Sequence, residues 1–112
     1  MMPQRWEPRR IRVNDWPDGG GLPRRPLFEM GCTVITANAL GALHPEDVQS
    51  ALCRHHAGDW GAVDADDWLA NQSALAGGLR LLSVYHDRNA TKFYIITEAD
   101  RSYTTVMLPE DY

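Results

Sequence analysis

Cysteine is scarce: Cys32 and Cys53 are the only two, and neither sits in a C-x-x-C or in a Cys/His pair at zinc spacing. A disulfide scaffold and a structural zinc finger are thereby excluded. No apolar run approaches the ~18 residues needed to span a bilayer, and the first residues alternate arginine, proline and polar groups where a signal peptide would be apolar. The expectation is a reduced, cytoplasmic protein with no membrane partner. Catalytic signatures are missing too. There is no P-loop lysine with its glycine spacing, and Ser83 has no G-x-S-x-G elbow around it. Basic residues are the minority, 11 against 15 acidic for a net charge of −4, which argues against nucleic acid as a direct partner.

What is present fits one folded domain. The chain has 112 residues, 44% hydrophobic and 23% charged, values that a globular domain shows and a disordered chain does not. Charge is unevenly spread. Residues 1–27 hold six arginines against three acids, a net of +3, whereas 28–112 hold five basic and twelve acidic residues, a net of −7. Within 1–26, five prolines and the triplet Gly19, Gly20 and Gly21 stop helix and sheet from propagating, so this segment reads as an extended arm preceding a domain over 27–112. Trp6 and Trp16, with Arg9 and Arg10 nearby, give the arm something to dock with, on its own body, on a partner or on a second copy.

Beyond the arm, Cys32 to Thr36 follow Gly31 as a β-prone first strand. Pro45 at a first helical position, followed by Glu46 and Asp47, predicts a helix from about Pro45 to His55 or His56 with Val48, Ala51 and Leu52 inward. Asp64 caps a second helix whose apolar stripe is Trp68, Leu69, Gln72, Leu75 and Ala76, ended by Gly77 and Gly78. Leu79 to His86, Lys92 to Glu98 and Tyr103 to Leu108 then form a meander. The fold class is α+β, two helices packed on one face of a small antiparallel sheet in the order β-α-α-β-β-β. If the glycine pair reverses the chain, His55, His56, Asp59, Asp64, His86 and Asp87 gather at one end and Arg80, Glu98, Asp100 and Arg101 at the other, roughly 25 Å away at ~3.3 Å per strand residue.

The segments His55-His56-Ala57-Gly58-Asp59-Trp60-Gly61, Asp67 to Asn71, Arg80 to Tyr85, Ile95 to Ser102, Thr104-Thr105-Val106 and Leu108 to Tyr112 stand together in one chain. In this combination the chain resembles a family of small, mostly uncharacterised proteobacterial proteins found on plasmids and integrative elements, often labelled plasmid-related. The resemblance covers Phe28 to Tyr112 and implies no reaction. It implies an accessory or anti-defence setting on a mobile genetic element.

Three constellations carry chemistry. His55, His56 and Asp59 suit a divalent metal by residue type but not by spacing, because adjacent helical histidines point about 100° apart; the helix dipole accounts for them without an ion, and no cofactor is expected. Glu98, Arg101 and Arg80 suit phosphate chemistry, as in small metal-independent ribonucleases of the barnase-like class, but those need a general acid that this topology puts at the far end. Asp59, Trp60 and Arg101 also enter the binding set beside the arm residues, with Trp60 between Gly58 and Gly61 reading as a core plug and Asp59 as a turn former. Tyr85, Tyr94, Tyr103 and Tyr112 suit sheet packing better than base stacking, since the acidic body lacks interleaved lysines. The preferred expectation is a non-enzymatic binder of a host or element-encoded protein, with a ribonuclease and a module self-associating through its arm as the alternatives.

Overall fold

A computed structural model describes residues 10–12 and 26–112 of the chain. The elements are β1 (Arg10–Arg12), β2 (Cys32–Thr36), α1 (Ala37–Ala42), α2 (Pro45–His56), α3 (Ala65–Gly77), β3 (Leu81–His86), β4 (Lys92–Thr97) and β5 (Tyr103–Met107), closed by a 3-10 turn at Pro109–Asp111. This is the expected α+β class, and β3, β4 and β5 form the antiparallel meander. The sheet as a whole is mixed, not antiparallel throughout. Its order is β1-β2-β5-β4-β3, with β2 parallel to β5. The helical crossover after β2 delivers the chain to the far edge, and the meander works back until β5 lies beside β2. β5 is therefore central, and Thr104 to Met107 are all buried.

The start of α2 is fixed from two directions. His44 Nδ1 accepts the Glu46 N–H at 3.2 Å, and Arg88 in the β3–β4 turn donates its backbone N–H and Nε to Asp47 at 2.7 and 3.0 Å. That turn is shaped by Asp87, whose Oδ1 accepts from the Asn89 and Thr91 N–H groups. From there α2 runs across the sheet, burying Val48, Ala51 and Leu52 against Ile35, Phe93, Ile95 and Val106. A smaller cluster joins Trp60, Ala74 and Leu81, with Phe28 and Leu75 packed on it. Gly78, at φ 67°, takes the left-handed conformation that reverses the chain after α3.

Three local features depart from the sequence expectation. The arm is not wholly without regular structure, because Arg10–Arg12 pairs antiparallel with β2 as an edge strand. Trp6, Arg9 and Trp16 lie outside the described residues. Residues 37–42 form an extra helix, which Thr36 caps by accepting the Ala39 N–H at 3.1 Å. The inward face of α3 also differs: its buried residues are Asn71 and Ala74, while Leu69 is 65% exposed. The cause is where α3 lies, along the outer edge of β3. Asn71 donates Nδ2–H to the Leu82 carbonyl at 2.7 Å and accepts the Leu82 N–H at 3.1 Å, standing in for a missing strand. Two residues on, the Trp60 carbonyl accepts from the Val84 N–H and the Ala62 N–H donates to the Val84 carbonyl. The edge is thus closed to a further strand at both positions.

The chain's last turn is bolted to α1. The buried Asp111 carboxylate accepts from the Thr36 hydroxyl at 2.6 Å, Asn38 Nδ2 at 2.7 Å and the Leu108 N–H at 3.1 Å. Removing it takes the acceptor from two buried donors, the Thr36 hydroxyl and the Leu108 N–H, and from the exposed Asn38 amide. Asp111→Ala is expected to lower the unfolding free energy by about 2–3 kcal/mol, measured by urea denaturation, with Asp111→Asn retaining part of the loss.

Candidate functional site

The two ends of the domain hold different groups from those the chain-reversal reasoning gathered. Because α2 starts at the β3–β4 turn, its C-terminus lies over the opposite end of the sheet. His55 is therefore not beside His86. Its ring is fully buried, with Nδ1 2.6 Å from the Ser83 hydroxyl and Nε2 2.9 Å from Thr97, the residue before Glu98. Phe28 packs edge-on against His55 and lies under the Arg101 guanidinium, 5.8 Å from its ring centre. The imidazole and the arginine turn are neighbours, contrary to the ~25 Å separation expected from strand length.

Hydroxyl bookkeeping fixes the protons in this string. Thr104 donates to the Met30 carbonyl at 2.7 Å, so the Thr97–Thr104 bond, also 2.7 Å, must be donated by Thr97. Thr97 then accepts from His55 Nε2–H, and His55 Nδ1 accepts from Ser83. The ring is neutral, its pKa pushed down to about 3 by burial first and by the nearby His56 and Arg101 second. Ser83 and His55 thus meet as a hydroxyl and a base, an encounter the sequence did not signal because the two lie 28 positions apart. A nucleophile needs access to substrate, however, and Ser83 is 0% exposed, while a threonine stands where a triad would hold a carboxylate. The string specifies how α2 sits on the sheet.

The phosphate-chemistry set does not converge. Arg101, at φ 63°, spends its guanidinium on backbone carbonyls: Leu79 at 2.6 Å, Glu98 at 3.1 Å and, through Nη2, Ala74 at 3.0 Å near the end of α3. It ties the β4–β5 turn to α3 through carbonyls. Arg80 donates to the Tyr112 hydroxyl at 2.7 Å. Glu98 is exposed, and the strand alternation that aims Thr97 at His55 turns Glu98 toward the opposite face. No hydrogen bond joins Glu98 to a histidine among the described residues.

The remaining candidates have structural partners. His56 Nε2 lies 2.8 Å from the Phe28 carbonyl, and Asp59 takes Arg54 Nε at 2.8 Å and the Gly61 N–H at 3.1 Å. Among the described residues no group of three His, Cys, Asp or Glu is placed to hold a metal ion. Trp60 is 0% exposed, which corrects its place in a binding set: it is the plug between α2, α3 and β3. Cys32 and Cys53 are free, half-buried thiols, and no helix among the described residues is long and apolar enough to cross a membrane.

Among the described residues, one surface has no packing role inside the domain. With Asn71 and Ala74 turned inward, α3 presents Leu69, Ser73 and Ala76 outward, flanked by Trp68, which is 36% exposed, and by Leu79, 59% exposed, just past the helix. Its first turn is acidic: Asp64, whose side chain caps the Asp67 N–H at 2.8 Å, then Asp66 and Asp67. An apolar strip beside three carboxylates is suited to a complementary protein surface. The sequence reading counted Trp68 and Leu69 with the core; the signal against that was Asn71, a polar residue on the face opposite Leu69. No family model, curated protein or solved structure matches the chain.

Proposed function

We propose that the chain is a non-enzymatic protein-binding module that docks through the outer face of α3. The supporting observation is a 13-residue helix with only Asn71 and Ala74 buried, which leaves Leu69 and its neighbours in water beside an acidic turn. The partner that fits is a protein surface with an apolar centre rimmed by arginine or lysine. Such a surface gains apolar burial from Leu69 and Trp68, and its approach is steered by the −7 carried by residues 28–112. In the mobile-element setting that the resemblance implies, the nucleic-acid-binding face of a host defence complex has this chemistry, and covering it inhibits the complex.

The test is photo-cross-linking in cells expressing the chain, with p-benzoylphenylalanine at Leu69 or, as a control, at exposed Ser50 on α2. A discrete protein adduct from position 69 and none from position 50 is the expected result. Identical patterns from both positions contradict the proposal. So does cleavage of mixed RNA by the purified chain that Glu98→Gln abolishes, since that outcome restores the ribonuclease reading.

A further inference from the structure

The sheet face turned away from α2 carries a second surface of different chemistry. Arg80, one residue before β3, and Tyr94 and Lys92 on β4 share this face by strand alternation, and Tyr112 folds back over it from the final turn. The four groups form a string. The Arg80 guanidinium lies 5.3 Å from the Tyr112 ring centre, Tyr112 meets Tyr94 at 6.1 Å and 88°, and Lys92 Nζ is 6.0 Å from the Tyr94 ring. Tyr112 is 70% exposed, Arg80 and Lys92 are exposed, and Tyr94 is half-buried. Leu82 and Val84, on the same face of β3, are half-buried as well.

We propose that this string is a stacking platform for a short single-stranded nucleic acid. Tyr112, 70% exposed, offers a ring face for one base, and Arg80 and Lys92, at the two ends of the aromatic pair, offer partners for the flanking phosphates. Among the described residues Arg80 Nη2 donates to the Tyr112 hydroxyl, and a guanidinium has five N–H groups, so donors remain for a phosphate oxygen. The sequence objection to base stacking was the lack of interleaved cations. Folding supplies them, because the hairpin brings Arg80 and Lys92, twelve positions apart, to the two ends of one aromatic pair. Glu98 stands one step beyond the Leu81–Thr97 pair, across from Arg80 on the same face, and opposes phosphate there. Binding is therefore modest and salt-sensitive, and stacking makes it tolerant of sequence.

The test is fluorescence anisotropy of labelled hexauridylate and hexacytidylate with the full chain at low salt. Saturable binding of both is expected, weakened about tenfold or more by Tyr112→Ala, as the loss of one stacked base predicts. Binding should tighten in Glu98→Gln, and the slope of log K against log salt should be about −1.4, the value for two phosphate contacts on a single strand. Circular dichroism confirms that each variant is folded. Absence of saturable binding at millimolar oligonucleotide overturns the proposal. Unchanged affinity in Tyr112→Ala, or equal competition by hexa-aspartate, which has charge but no bases, does so too.

Discussion

Trp60→Ala is expected to destabilise the domain by about 3–5 kcal/mol, read as a lower urea midpoint at unchanged slope. Trp60 is wholly buried, stacks on Phe28 at 6.2 Å, meets His55 edge-on at 5.6 Å and packs against Ala74 and Leu81. Its Nε1–H donates to Gln72 Oε1 on α3 at 2.8 Å, so truncation removes both apolar contact and a bond that orients the helix. The loop that inserts it needs Gly61 at φ 76°, where a Cβ would run into the Val84 carbonyl. Trp60→Phe keeps most of the packing and is expected to recover more than half of the loss. A change below about 1 kcal/mol in Trp60→Ala would mean that α3 is held by something other than this cluster.

The second large effect is acid sensitivity. The folded state keeps His55 neutral down to about pH 3, whereas the unfolded chain protonates it near its ordinary value of 6.5. Between those values the unfolded state binds a proton that the folded state refuses, so stability falls as pH drops, by up to about 1.4 kcal/mol per pH unit. A protonated ring would need acceptors on both nitrogens, and Ser83 would have to turn its hydroxyl away to provide one. Asp47 and Asp87 act in a different window. Their carboxyls are held below the ordinary 3.8, Asp47 chiefly by hydrogen bonds from Arg88 and Asp87 by the backbone N–H groups of Thr91, Asn89 and His44, which outweigh its burial. The stability they contribute is present above that value and is lost as pH falls through their lower folded values. Of these three groups, His55 is the one that acts between about pH 6 and 4.5. His55→Gln, whose amide can still bond both hydroxyls, is expected to flatten the slope there while lowering stability at neutral pH. An unchanged slope in that variant would remove His55 as its cause.

Much of the local structure was legible because each signal was self-contained. Pro45 with Glu46 and Asp47 marks a helix start, Asp64 a cap and Gly78 a chain reversal, and each works through groups within a few residues of itself. What failed to read out was relative placement. Chain reversal at Gly78 fixes α3 against β3 but is silent about α2, which Arg88 draws to the β3–β4 turn, carrying His55 to the far end. Nothing local says that β5 will lie between β2 and β4, since that depends on where the helical crossover returns the chain. The same limit hid the use of α3. Trp68 and Leu69 look like core by composition, and only the pairing of Asn71 with the Leu82 backbone turns them outward. Arg101 and Glu98 are close in sequence and look like a reactive pair, but Arg101 is committed to carbonyl oxygens 2 to 27 positions away.

These placements have His55 and Arg101 serving the architecture, and the outer face of α3 is the surface proposed for recognition. The most direct measurement is a calorimetric titration of the protein cross-linked at position 69, purified, against the wild-type chain, Leu69→Asp and Ser50→Asp. Leu69→Asp is expected to weaken binding by more than tenfold, Ser50→Asp to leave it unchanged, and rising salt to weaken the wild-type complex. Equal affinities for the wild type and Leu69→Asp, or affinity independent of salt, would contradict docking through this face.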